Sequence, residues 1–157
     1  MIQELLTEGR AKLEPCDITE FAEDAGLRLD EVALPVRTYF TGLPVEDTEL
    51  GPFTILSPAS VYQEARQLLP SCGVVSHGFL TFAREAAGDL FVVQLSTGTV
   101  YLLNHDIYLS ETWIEPRYEP NLMDSGFPER LPVTAETIIA TAEGKFESIE
   151  EFFAALT

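Results

Sequence analysis

The chain is poor in basic residues. Lysine and arginine together number 9 against 26 aspartates and glutamates, so the 157 residues carry a formal net charge of −17. A protein that grips nucleic-acid phosphates needs a footprint of lysine and arginine, and anionic membrane surfaces attract the same residues. The shortage of bases therefore predicts that the protein binds neither nucleic acid nor an anionic membrane.

Cysteine is also scarce, since Cys16 and Cys72 are the only two. They cannot build a disulfide framework, and unpaired thiols of this kind are typical of a reducing compartment. The residues Met1-Ile2-Gln3-Glu4 lack the basic and apolar regions of a signal peptide, and no apolar run approaches the roughly 20 residues that span a bilayer. We therefore expect a cytoplasmic protein without a membrane span.

Two histidines restrict the possible chemistry. His77 lies close to Cys72 in the sequence, but no nucleophile-elbow motif accompanies them, so we assign no catalytic residue. His105-Asp106 with the more distant Glu111 is the best metal set available, and it falls short of three well-spaced ligands. The glycines are isolated and form no phosphate-binding loop. We expect no metal and no cofactor, and a small metal-dependent enzyme remains the least favoured alternative.

The middle of the chain predicts an antiparallel sheet. The sequence shows strand patterns at 79–83, 90–95 and 99–104. The hairpin loop Ser96-Thr97-Gly98 joins the last two. The run Val100-Tyr101-Leu102-Leu103 is apolar at every position, which indicates that both faces of this strand are covered. We predict a single α+β domain over residues 1–157, with one mainly antiparallel sheet flanked by helices.

Helix signals lie on both sides of this region. We predict a helical extension over 1–14 and helices opened by Asp17, Ser57-Pro58, Thr134 and Ser148. One apolar stripe of the second comprises Val61, Ala65, Leu68 and Leu69, and the last helix presents Ile149, Phe152 and Phe153 to the core. Residues 34–40 fit either a helix or a strand. Residues 42–52 are expected to be a loop, 53–56 a short strand and 107–109 an edge strand.

Two acid-rich stretches contain no base, and they supply the candidate partner-binding residues: Glu46, Asp47 and Glu49 in the first, and Asp106, Glu111 and Glu115 in the second. If the two stretches share one rim, they form a negative patch that attracts a basic protein. Trp113 lies within the second stretch, where it either anchors an interface or fills the edge of the core. Simple solubility is the alternative explanation of the acidity.

The order of several motifs resembles the SUKH superfamily, which contains fungal cell-wall synthesis regulators and many bacterial immunity proteins. The motifs are Ile18-Thr19-Glu20-Phe21, Leu34-Pro35 with Tyr39-Phe40, Phe53-Thr54-Ile55-Leu56-Ser57-Pro58, Gly88-Asp89-Leu90-Phe91, Thr97-Gly98-Thr99-Val100-Tyr101, His105-Asp106 and Ser148-Ile149-Glu150-Glu151-Phe152-Phe153. The family's Asn-Gly-Gly is replaced by Thr41-Gly42-Leu43-Pro44. A type VI immunity group with a similar strand-Gly-strand ending is a close competitor.

The resemblance implies an α+β domain without catalysis that binds and neutralises a cognate protein toxin inside the producing cell. Many such toxins are nucleases or other enzymes with basic clefts, and the acidity of this chain fits a partner with a basic surface. An intracellular regulatory scaffold of the same fold is the alternative. The sequence leaves the oligomeric state open.

Overall fold

Strands dominate the centre of the computed structural model, which describes residues 12–116, 122 and 126–156. Within these residues the strands are β1 Leu13–Glu14, β2 Leu43–Pro44, β3 Thr48–Leu50, β4 Phe53–Ile55, β5 Phe79–Glu85, β6 Leu90–Gln94, β7 Val100–Leu103, β8 Trp113–Ile114, β9 Leu131–Pro132 and β10 Gly144–Phe146. Six of them form one antiparallel sheet in the order β10, β7, β6, β5, β4, β3. Two small antiparallel pairs, β1 with β2 and β8 with β9, lie outside it.

Six short helices accompany these strands in the described residues: α1 Thr19–Asp24, α2 Leu34–Tyr39, α3 Pro58–Gln67, α4 Ser71–Val74, α5 Ala135–Ala140 and α6 Ile149–Ala154. Hydroxyl caps open three of them, because the side chains of Ser57, Thr134 and Ser148 each accept a hydrogen bond from the backbone N–H three residues later. The sequence predicts these three caps. It also predicts that Asp17 opens α1, but the N-cap there is Ile18, and Asp17 Oδ1 accepts the N–H of Thr19 at 2.9 Å from one position earlier. The chain is an α+β protein with one mainly antiparallel sheet and helices packed against it.

Side chains of the central strands alternate between two apolar clusters. Phe91 and Val93 of β6 belong to the larger cluster, which also takes buried residues from α1, α2, α3 and α6. Leu90 and Val92 belong to the second, which takes residues from α5 and from the segment after β7. Successive strand residues point to opposite faces, so both faces of the sheet are covered. This confirms the prediction from the uninterrupted apolar run in β7.

Some local expectations were wrong. Residues 105–107 form a short 3-10 helix instead of leading into an edge strand, because Asn104 Oδ1 accepts the N–H of Asp106 at 2.8 Å and caps it. The loop expected at 42–52 contains β2 and β3. The helix opened by Thr134, expected to end near Gly144, ends at Ala140, and Gly144–Phe146 form β10, which pairs with β7. The ambiguous segment at 34–40 is the helix α2, with Pro35 in its first turn.

The expected N-terminal helical extension falls largely on residues 1–11, outside the described residues. Leu13 and Glu14 form a strand that pairs with Leu43 and Pro44, so the end of that segment is extended rather than helical. Among the described residues we find no helix with the length and apolar character needed to cross a bilayer.

The helix α3 departs from its predicted stripe. Val61 and Ala65 are buried as expected, whereas Leu68 and Leu69 are 38% and 42% exposed, because the helix ends at Gln67. Glu64, on the same face, is 4% exposed instead. Its Oε1 accepts from the Arg84 guanidinium and its Oε2 accepts from Ser71 Oγ at 2.8 Å. A buried ion pair therefore joins α3 to β5.

Candidate partner-binding surface

The acids of the first stretch lie at the edge strand β3, with Glu46 and Asp47 just before it and Glu49 within it. Glu46 and Glu49 are exposed. Asp47 has a structural role, since its Oδ1 accepts the N–H of Ser57 at 2.8 Å and its Oδ2 accepts Ser60 Oγ at 2.9 Å. The carboxylate thus lies at the start of α3, where the helix dipole favours negative charge. Asp47 is exposed as well, but it has fewer acceptor positions left for a partner than Glu46 and Glu49 have.

The second stretch forms an ordered segment between β7 and β9. Ile107 and Tyr108 are buried in the second apolar cluster and hold the segment on the sheet. The N–H of Glu115 donates to Ile107 O at 2.8 Å and the N–H of Val133 donates to Thr112 O at 3.0 Å. Ser110 Oγ also accepts the N–H groups of Thr112 and Trp113. The segment is therefore fixed at several points, although Leu109, Glu111, Thr112 and Trp113 face solvent.

Glu111 lies against α4. A Cβ atom built on Gly73 would be 3.0 Å from both Cα and O of Glu111, so only glycine permits this approach without a shift. Cys72 Sγ donates to Glu111 Oε1 at 3.5 Å, and the Glu111 side chain remains exposed. The contact fixes the backbone of the segment while leaving a carboxylate at the surface.

Trp113 is 43% exposed, although its neighbour Ile114 is fully buried. The pairing of β8 with β9 places Trp113 opposite Pro132 and turns its side chain outward. Leu109, two residues before Glu111, is 51% exposed, and Asp106 is exposed as well. We call Asp106, Leu109, Glu111 and Trp113 the anchor surface. These four side chains, two apolar and two acidic, are all exposed and belong to one short segment whose backbone is held by hydrogen bonds. The sequence alone did not single out Leu109.

Glu115 does not belong to the anchor surface. It is 5% exposed, and its Oε1 accepts from Arg130 Nε at 3.0 Å. Strict alternation along an extended segment would put Glu115 on the same side as the exposed Trp113, but β8 ends at Ile114 and both Ile114 and Glu115 are buried. The Glu115 carboxylate follows β8 and binds Arg130, which precedes β9, so this ion pair connects the two strands.

The two acid-rich stretches contact different helices. Asp47 lies at the first turn of α3, whereas Glu111 touches α4, which follows the end of that helix. Glu46 lies just before the edge strand β3 and Glu49 lies within it. That the two stretches share one rim stays a prediction.

His105 lies between carboxylates at the far end of β7. Its Nδ1 is 2.7 Å from Asp89 Oδ1 and its Nε2 is 3.1 Å from Asp106 Oδ1. Within the described part of the chain, no three histidine, cysteine or acidic side chains are grouped so that they could hold a metal ion. Burial raises the pKa of Cys72, and the nearby Glu111 carboxylate raises it further, the opposite of what an activated thiol requires.

Comparisons with protein-family models, curated proteins and solved structures find no match to this chain.

Proposed function

We propose that the protein is a binding protein of the immunity type, which neutralises a cognate protein toxin by docking its anchor surface on a basic region of that toxin. The observation that carries the proposal is the exposed Trp113 beside the exposed carboxylate of Glu111 on a fixed backbone. Exposed tryptophans surrounded by polar groups are the side chains that contribute most to protein interfaces.

The charge supports a basic partner. A net charge of −17 attracts cations over distances longer than a contact and disfavours acidic partners. Asp106 and Glu111 add local negative charge where the apolar side chains Leu109 and Trp113 would make contact. Hydrogen bonds at Ser110 and Thr112 hold the segment in place before binding, which reduces the entropy lost on association.

Neutralisation is tested by co-expressing the protein with the product of the gene next to it in a sensitive host. We expect growth to be restored and the two proteins to co-purify. Loss of both results would contradict the proposal. Binding without protection would instead favour the regulatory scaffold.

The anchor surface is tested by variants in the same assay, by titration calorimetry for the affinity and by stopped-flow mixing for the association rate. Trp113→Ala should weaken binding by about 2 kcal/mol or more, which is roughly thirtyfold in Kd. Leu34→Ala is the matched control, because Leu34 is 63% exposed on α2 and lies outside the anchor surface. Glu111→Gln should reduce the association rate, and Glu150→Gln on α6 should leave it unchanged. Equal binding by all four variants would exclude this surface.

A further inference from the structure

A pocket of about 300 Å³ lies between the segment 15–19 at the start of α1 and the end of α2, and none of its lining residues belongs to the anchor surface. Its apolar walls come from Pro15, Ile18, Leu29 and Phe40. A volume of this size is at the lower end of the range that small-molecule sites occupy. Arg37, the only base among its lining residues, is half-buried in α2.

Arg37 differs from the other arginines that the structure describes. Arg28, Arg66, Arg84 and Arg130 each lie within ion-pair distance of a carboxylate. No such pair includes Arg37 among the residues described here, although acids outnumber bases 26 to 9. Its Nε donates to Val32 O at 3.1 Å, which orients the guanidinium and leaves its terminal nitrogens for another acceptor.

We propose that this pocket binds a small molecule or chain terminus that carries one carboxylate on an apolar body. The planar guanidinium of Arg37 suits a carboxylate, which it can bind through two parallel hydrogen bonds. The apolar walls suit the hydrocarbon part. The net charge and the nearby Asp17 act against ligands with several negative charges.

The other titratable groups of the pocket are compatible with an anion. Burial raises the pKa of Cys16 to about 11, with further increases from Asp17 and Glu14, so the thiol is neutral at pH 7. Hydrogen bonds from Thr19 hold the pKa of Asp17 below its ordinary value, and its Oδ1 accepts the Thr19 N–H at 2.9 Å. Asp17 is therefore already engaged at the rim and is not an ion-pair partner of Arg37.

The site is tested by titrating the full-length ¹⁵N-labelled protein with hexanoate, hexanol and acetate while following backbone amide shifts. Hexanoate should shift amides of residues 16–19 and 37–41, with an affinity about tenfold or more above that of hexanol or acetate. An acetylated dipeptide with a C-terminal leucine carboxylate, and its amide, distinguish a chain terminus from a free acid. Equal binding of hexanoate and hexanol, or shifts confined to other residues, would overturn the proposal.

Two variants test the contribution of the Arg37 guanidinium and that of the pocket volume separately. Arg37→Gln should weaken hexanoate binding about tenfold or more, whereas Arg28→Gln, outside the pocket, should bind as the parent protein does. Thr41→Trp keeps the arginine at position 37 and should fill the pocket from its exposed rim, so it should also abolish binding and the test holds even if Arg37→Gln fails to fold. Unchanged affinity in the folded Thr41→Trp variant would contradict the site.

Discussion

Glu64 is the residue on which the connection between α3 and the sheet depends most. Replacing it by glutamine removes the charge while keeping the shape, and it leaves the Arg84 guanidinium without its carboxylate. The Arg84 side chain is 31% exposed, so water compensates part of this loss. We expect Glu64→Gln to lower the free energy of unfolding by about 2–3 kcal/mol, measured by urea denaturation.

A surface pair is the matched control for this prediction. Glu20 is bonded to Arg66 at 2.6 Å, but its side chain is 59% exposed. Exposed ion pairs contribute about 0–1 kcal/mol, so Glu20→Gln should have a small effect. If Glu64→Gln costs no more than Glu20→Gln, the buried pair does not stabilise the fold as we describe.

Cys16 should react with alkylating agents far more slowly than an ordinary thiol. Burial raises its pKa from 9.0 to about 11, and the thiolate is the reactive form. In a Cys72→Ala background at pH 8, iodoacetamide should modify Cys16 on the order of a hundredfold more slowly in the folded protein than in urea. The folded rate should keep rising with pH beyond 9, because deprotonation is completed only above pH 11. A plateau near pH 9 would show that the thiol is not shifted.

Helix α4 contacts the anchor surface where Gly73 approaches the backbone of Glu111, and a substitution at Gly73 tests this contact. Alanine in place of a helical glycine usually stabilises by about 1 kcal/mol, but here the added methyl would meet the Glu111 backbone at 3.0 Å. We expect Gly73→Ala to destabilise by about 1–3 kcal/mol and to change the fluorescence of Trp113, the single tryptophan. Gly144→Ala is the control, since its Cβ would lie 3.4 Å from Leu102 Cβ, an ordinary contact. A stabilised Gly73→Ala variant with unchanged fluorescence would contradict this packing.

Elements with strong local signals could be predicted from the sequence. The hairpin at Gly98, where φ is +80°, follows from the short glycine loop between two apolar strands. The helices α3, α5 and α6 follow from their hydroxyl caps, which act within one turn of the backbone.

Elements that depend on distant partners could not be predicted in the same way. The strand β10 has only Gly144, Lys145 and Phe146, and its extended form comes from pairing with β7 some 40 residues earlier. The burial of Glu64 depends on Arg84 in another element. Of the candidate site, Trp113 and Glu111 could be proposed from the sequence, but the burial of Glu115 depends on its ion pair with the distant Arg130.

At the scale of the whole molecule, the charge opposes folding while favouring encounters with basic partners. The first 78 residues contain 13 acids and 5 bases and the remainder 13 acids and 4 bases, so the excess is not confined to a tail that could extend into solvent. Compaction of the chain brings these charges closer together, and their mutual repulsion lowers stability. The ion pairs at Arg28, Arg66, Arg84 and Arg130 offset only part of it.

Salt should therefore stabilise the isolated protein. Raising sodium chloride from about 10 mM to about 500 mM shortens the Debye length from roughly 30 Å to less than 8 Å, which screens repulsion between exposed carboxylates more than the attraction within the buried Glu64–Arg84 pair. We expect Tm to rise by roughly 2–4 °C, equivalent to about 1 kcal/mol for a chain of this length. Sodium chloride is preferred to sulfate, because sulfate also strengthens apolar burial. The charge-reducing variant Glu49→Gln/Glu150→Gln should show a smaller rise, and a Tm that falls with salt would mean that attractive pairs outweigh the repulsion.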